Sequence, residues 1–216
     1  MRARPVPPLL SAAVLGLGVA LAAPAALTPA PAAAQEQQQE AATGPSAVVR
    51  EFQDTLLQAM KTDGFHARYD MLEQPVEDAF WLDVMIRTAV GRGWREASDA
   101  QRQALVDVFG DMTTAQYAAR FHDYNGQEFR VLGTDEGPRG TTIVRTEITR
   151  KAKEPVQISY VLAERQGRWG VVDILAGKGV SELATKRSEY ASILARQGVD
   201  GLIETLRIKS RELTGG

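Results

Sequence analysis

The sequence predicts an α+β fold, on three observations about where its hydrophobic period changes. From Ser46 to Tyr124 apolar residues recur three and four apart, the spacing that gathers them on one side of a helix. Between residues 128 and 175 the pattern becomes alternating and rich in Val, Ile, Thr and aromatic residues, with joints so short that neighbouring strands must pair antiparallel. After Ser181 the helical spacing returns. Helices, then one antiparallel sheet, then helices is the element order of an α+β domain.

Val49, Phe52, Leu56 and Met60 share one face of the first helix, which Gly64 ends. A second helix fits 66–73 and stops before Pro75, because a proline biases the preceding Gln74 away from helical geometry. A third fits 83–90 and is closed by Gly91-Arg92-Gly93. The fourth carries the clearest signal. Ser98 and Gln101 form a capping box, which gives the first amides side-chain acceptors. Leu105, Val108, Phe109, Met112 and Ala119 follow at helical spacing, and Asn125-Gly126 supplies a left-handed stop, so this helix is expected over 99–124. Four strands fit 128–133, 141–149, 155–163 and 168–175, joined by Asp135-Glu136-Gly137-Pro138, Lys151-Ala152-Lys153-Glu154 and Arg165-Gln166-Gly167. In the third strand Val156, Ile158, Tyr160 and Leu162 mark one apolar face. Ser181 caps a helix ending near Gly198, and Asp200 can cap a last one with Leu202, Leu206, Lys209 and Leu213 down one side.

Ahead of this domain (46–214) the first 34 residues read as a cleavable signal peptide. Arg2 and Arg4 form a positive start, residues 9–22 (LLSAAVLGLGVALA) an uncharged apolar stretch, and Ala32-Ala33-Ala34 a small-residue cleavage pattern. The apolar stretch is shorter than the about 20 residues a spanning helix needs, which disfavours the alternative of an uncleaved anchor. Residues 35–45 (QEQQQEAATGP) are polar and Gln-rich and read as a flexible leader. Export places the chain in the periplasm. The chain has no Cys, which excludes a disulfide framework, a thiolate metal site and an acylated lipoprotein anchor. Without Arg2 and Arg4 the 25 basic residues become 23 against 27 acidic ones, a net charge of about −4. That balance argues against nucleic acid as a partner and against lasting adhesion to an anionic membrane.

No catalytic set converges in the sequence. Neither His66 nor His122 has zinc-ligand spacing, and His122-Asp123 are neighbours that point to different sides of a helix. Ser181 lies outside a GxSxG elbow and has a simpler role as a cap. Gly177-Lys178-Gly179 lacks phosphate-loop spacing. Pairs such as Glu77-Asp78, or Asp99 with Asp107, suit solvated helix faces. Tyr117, Phe121 and Tyr124 do share a stripe at the end of the fourth helix, where they either fill a core or wall a cavity against the sheet.

Two long stretches carry a resemblance. One runs from Val90-Gly91-Arg92-Gly93-Trp94 through Ser98, Gln101-Arg102 and Phe109 to Tyr117, Phe121, Tyr124, Gly126 and Phe129. The other holds Trp169-Gly170-Val171-Val172-Asp173, Gly179-Val180-Ser181, Arg187-Ser188-Glu189-Tyr190, Gly198 and Asp200-Gly201-Leu202-Ile203. Together they resemble the Mla-type (toluene-tolerance) periplasmic phospholipid-binding proteins. Lys186, where the commoner members carry an aromatic residue, and the run Glu182 to Ser188 look like the hopanoid-associated branch. The resemblance implies a carrier without cofactor or catalytic residue, holding phospholipid or a hopanoid-like lipid between a twisted sheet and helices. It also implies a part in outer-membrane lipid asymmetry, with an inner-membrane ABC transporter complex and an outer-membrane lipoprotein complex as partners. The strand and helix patterns nominate Tyr117, Phe121, Tyr124, Val144, Ile148, Ile158, Tyr160 and Val171 as pocket residues; a solid core is the competing reading. Two alternatives of other classes stand beside the carrier. One is an enzyme of cone-shaped α+β fold acting on an apolar substrate, the other a module that stabilises a membrane complex.

Overall fold

In the computed structural model, residues 44–151 and 153–214 are described. The expected signal peptide and residues 35–43 of the leader lie outside them. Helix α1, Pro45–Met60, starts with a proline at its first position, where the missing amide costs nothing. It turns Val49, Phe52, Leu56 and Met60 into the core, as the spacing predicts. Helix α2, Phe65–Ala79, does not stop before Pro75 but runs through it. Stopping there would leave Val76, Ala79 and Phe80 outside the core in which all three are buried. Burying those side chains outweighs the about 3 kcal/mol that an interior proline costs a helix. Helix α3, Leu82–Val90, ends at Gly91 in a positive-φ conformation (61°), and a short helix α4, Arg92–Glu96, follows that the periodicity did not reveal.

Helix α5, Asp99–Arg120, begins with the expected capping box: the Gln101 amide donates to Ser98 Oγ at 3.2 Å and the Ser98 amide to Gln101 Oε1 at 3.0 Å. It ends four residues before the expected Tyr124. Its last carbonyls are taken by side chains instead, since Arg68 Nε donates to Ala118 O at 2.9 Å and His122 Nδ1 lies 2.7 Å from Ala119 O.

The sheet is antiparallel throughout, with strands in chain order: β1 Glu128–Glu136, β2 Thr142–Arg150, β3 Lys153–Arg165, β4 Arg168–Ala176 and β5 Val180–Ser181. It has five strands rather than four, because the two residues after the Gly177-Lys178-Gly179 turn pair back onto Leu175 and Ala176. At the other end of β4, the same outer edge is covered by the α2–α3 junction: Phe80 bridges Val171, and the Trp81 amide donates to Val171 O at 3.0 Å. Helix α6, Glu182–Thr214, is broken at Gly198 (φ 66°, ψ −166°). Its halves fold back on one another. Glu189 and Lys209 approach to 3.9 Å, whereas a straight helix would hold them roughly 30 Å apart. Ser181 caps its start, its Oγ accepting from the Ala184 amide at 2.9 Å; the two halves are the two expected helices, and Asp200 at the start of the second accepts from Gln101 Nε2 of α5 at 2.8 Å. Among the described residues no helix is long and apolar enough to cross a membrane.

Candidate functional site

Strand alternation gives the sheet one face toward the helices. Its rows follow from the pairing register: Leu162 beside Val171, then Tyr160 between Val144 and Ile174, then Ile158 between Thr146 and Ala176, then Val156 beside Ile148 and Phe129. Burial falls steadily along this face of β3. Leu162 and Tyr160 are enclosed, Ile158 is half-buried, and Val156 is 38 % exposed. On the neighbouring strands Ile174 and Ala176 are half-buried, and Val180 on β5 is 62 % exposed. The inner face is therefore sealed at the β3–β4 turn and exposed at Val156 and at Val180 on β5, although Ile148 beside Val156 is still buried.

The helix layer meets this face through aromatic rings. Phe52 of α1 stands edge-on to Phe80 (4.9 Å between centroids) and to Tyr117 (5.0 Å), Tyr117 stacks on Phe121 (5.8 Å), and Phe121 reaches Phe129 of β1 (6.2 Å). Two polar groups interrupt the apolar surface. Gln53 Nε2 donates to Thr146 Oγ1 at 3.1 Å, and Thr146 Oγ1 in turn donates to Ile158 O at 2.7 Å, with all three residues away from the surface. Burial pushes the Tyr160 hydroxyl up to about 12, with a hydrogen bond from Gln53 opposing the shift, and burial likewise raises Tyr117. Both phenols stay neutral over the physiological range, so the face carries hydroxyls but no charge.

Of the eight nominated residues, Val144, Ile148, Ile158, Tyr160 and Val171 share the inner face, and Tyr117 and Phe121 lie over it from α5. Tyr124 does not join them. Because α5 ends at Arg120, Tyr124 falls in the following loop, 42 % exposed, with the Lys61 ammonium 4.7 Å from its ring centre. Gln53 was missed, although it sits four residues after Val49 and three before Leu56, on the apolar stripe where a polar residue is out of place.

The residues considered for catalysis stay apart. His122 is exposed and bound to its own helix end, and Asp123 accepts from Asn125 Nδ2 at 3.0 Å. Ser181 Oγ donates to Asp173 Oδ2 at 2.6 Å while capping α6. Asp173 also takes the amides of Ile174 and Leu183, which ties the sheet to that helix. A separate cleft with a cavity volume of about 420 Å³ lies on the outside of α1, between Val48, Pro75, Ala79 and Trp169 with Phe52 at its floor.

The two stretches that carry the sequence resemblance meet in space within the helix layer, and through Tyr117, Phe121, Phe129 and Val171 they also reach the inner face of the sheet. Arg187 packs over Gly91 and Leu194 over Gly93, Gln101 holds Asp200, and Arg102 Nε donates to Trp94 O at 3.0 Å. They hold the helix layer together. Comparison with known proteins agrees. The phospholipid-binding protein of Ralstonia solanacearum, solved in complex with a phospholipid, matches with a TM-score of 0.68 over 77 % of this chain and 97 % of its own, at 22 % identity, and so shares the fold. The intermembrane phospholipid transport system binding protein MlaC of Haemophilus influenzae is 25 % identical over 122 residues, which is 55 % of this chain; the chain spans about half, 56 %, of that relative's length. The MlaC protein family matches residues 47–208, three quarters of the sequence, and the chain belongs to that family.

Proposed function

We propose that the chain is a lipid carrier rather than an enzyme, which takes lipid tails between the inner face of the sheet and the aromatic side chains of Phe52 on α1 and of Tyr117 and Phe121 at the end of α5. The observation that carries this reading is the graded burial along β3, from enclosed Leu162 to exposed Val156: an apolar surface that begins inside the core and continues to an unsealed edge. Tails entering there exchange one apolar phase for another. Leaving a bilayer for water would cost about 0.8 kcal/mol per CH₂, and a walled apolar path removes most of that cost. The hydroxyls of Tyr117 and Tyr160 are compatible with such a lining, since neither carries a charge over the physiological range.

The relative from Haemophilus influenzae is named for intermembrane phospholipid transport and the Ralstonia solanacearum protein was solved with a phospholipid, which supports phospholipid as cargo. Lys186 and its surrounding run favour a hopanoid-like lipid as the competing cargo. The N-terminal pattern supports export to the periplasm, where a shuttle would pass lipid between an outer-membrane lipoprotein complex and an inner-membrane ABC transporter complex. Mass spectrometry of organic extracts from the freshly purified chain tests the reading. Stoichiometric phospholipid or hopanoid is the expected result and also decides between the two; a chain that purifies without lipid and takes up none from vesicles overturns it.

A further inference from the structure

The cleft on the outside of α1 meets the lipid path just described at Phe52, its floor, while its other lining residues lie outside that path. It continues into a second, shallower one, and the two share Glu51 and Thr55, so together they form one groove between α1 and α2. Along α1 the lining runs from Ala47 to Gln58, roughly 16 Å or three helical turns. Its charge is one-sided. Glu51, Asp54 and Asp78 line it, against Arg168 at the far end. Its apolar contacts come from Met71, 37 % exposed, with Pro75 and the half-buried Trp169. The groove ends at the β3–β4 turn, about 30 Å along β3 from the open edge at Val156, counting nine residues of strand.

We infer that this groove docks a cationic amphipathic segment of a partner protein, with Lys or Arg side chains over Glu51, Asp54 and Asp78 and an apolar side chain seated between Pro75 and Trp169. The charge selects the occupant. An anionic membrane surface or a lipid phosphate is repelled by three carboxylates, whereas a basic segment gains from all three and from release of water around Met71 and Trp169. The length of the groove suits a short helix or strand better than a small ion. Its distance from Val156 lets a partner hold the chain while the open edge stays free. The inference does not depend on the carrier reading, because it rests on the carboxylates of Glu51, Asp54 and Asp78, none of which lines the lipid path.

The test titrates the purified ¹⁵N-labelled chain with a synthetic Leu/Lys amphipathic peptide about three turns long, and with the same peptide carrying Glu for every Lys. The amides of Thr55 and Gln58 and the Trp169 indole are followed. The Lys peptide is expected to shift these signals, to bind at least tenfold more tightly than the Glu peptide, and to weaken several-fold in high salt. Neutralising the groove (Glu51→Gln, Asp54→Asn, Asp78→Asn) is expected to cost at least tenfold in affinity. These residues are surface-exposed and the substitutions isosteric; if the triple variant unfolds by circular dichroism, Asp54→Asn alone is measured and is expected to weaken binding about threefold. Equal binding of the two peptides, shifts confined to other surfaces, or full affinity in the folded neutral variant overturns the inference. So does movement of the same signals by anionic vesicles or by raising the chain's own concentration, which would assign the groove to a membrane or to a second copy. Co-purified lipid is expected to be unchanged in the variant. Its loss would place the groove in the lipid site, whereas a wild-type chain that never holds lipid would end the carrier reading and leave the peptide result standing.

Discussion

The two ends of the sheet are built from the same kind of residue and do opposite things with it. At the β3–β4 turn, Leu162 and Val171 are enclosed by the α2–α3 junction. There Trp81 donates to Val171 O, its indole packs against the Cα of Gly170, and Arg165 sits 4.6 Å over its ring while pairing with Asp83 at 3.6 Å. Toward the β2–β3 turn, Val156 and Ile158 continue the apolar row without a comparable cover. The difference teaches that the helix layer covers the sheet unevenly. It closes over the β3–β4 turn, whereas toward Val156 it is held by Gln53 on Thr146 and by Asp173 on α6 without covering the edge. Cover sets the shape of the molecule there, and apolar surface left uncovered is available to a ligand. Substitutions at the two ends should therefore differ in kind, the sealed end answering in stability and the open end in lipid.

The largest effect is expected at the sealed end. Leu162→Ala removes a fully enclosed side chain and should cost about 3 kcal/mol, within the 2–5 kcal/mol typical of such cavities. Val156→Ala, six residues away on the same strand face, should change the stability of the delipidated protein by less than about 0.5 kcal/mol. Urea unfolding of both variants checks the contrast; equal losses would mean that the row is one continuous core.

Gly170→Ala should cost about 2 kcal/mol, because a Cβ at this position overlaps the Trp81 ring and overpacking typically costs 1–3 kcal/mol. In a chain of this size that is a fall of about 4–8 °C in Tm. If the loss reflects only this overlap, Trp81→Leu in the same chain should recover part of it.

Much of this contrast could not be read from the sequence, for a definable reason. Local pattern assigns a side chain to a face, and it did so well for Val156, Ile158, Tyr160 and Leu162, for the capping box at Ser98 and for the cap at Ser181. Whether a face is covered depends on segments distant in the chain. Only the passage of Phe80 and Trp81 beside β4 seals one end, and that passage follows from α2 running through Pro75, against the local preference. Tyr124 failed for the same reason. The Arg68 side chain, from α2, takes the Ala118 carbonyl, α5 ends at Arg120 and Tyr124 is left in a loop. The two-residue β5 is too short to carry a period at all.

Between the two ends lies the polar step at Tyr160, Gln53 and Thr146. Tyr160→Phe should cost about 1 kcal/mol at pH 7, the usual net contribution of one hydrogen bond. Its pH dependence has a fixed sign. Burial raises the phenol from 10.0 to about 12, so between those values the unfolded chain gives up the proton while the folded chain keeps it. Stability supplied by the neutral phenol is full below pH 10 and declines as the pH rises toward 12. Phenylalanine lacks this dependence, so the gap of about 1 kcal/mol should close near pH 11 and reverse above it, since each pH unit in that window costs wild type about 1.4 kcal/mol. A gap of constant size in urea titrations at pH 7 and pH 11 would show that Tyr160 is in contact with water when folded.

The smallest change in stability, and the most informative, is expected from Ile158→Trp. Ile158 lies where the row passes from enclosed to open, half-buried between Thr146 and Ala176, with its carbonyl held by the Thr146 hydroxyl. A filled core and a ligand path respond oppositely to added volume at that point. In a filled core the indole has nowhere to go, and the cost is the 1–3 kcal/mol of overpacking. Beside an unsealed edge the ring can turn toward Val156 and cover apolar surface that lipid would otherwise cover. The delipidated variant should then unfold within about 0.5 kcal/mol of wild type, as substitutions outside packed cores do, while co-purified lipid falls several-fold. Leu162→Trp, at the sealed end of the same face, is the matched control and should unfold the protein without any selective loss of lipid. If Ile158→Trp instead destabilises the delipidated chain as much as Leu162→Trp does, or keeps its full lipid, the open end of the sheet is not where tails enter.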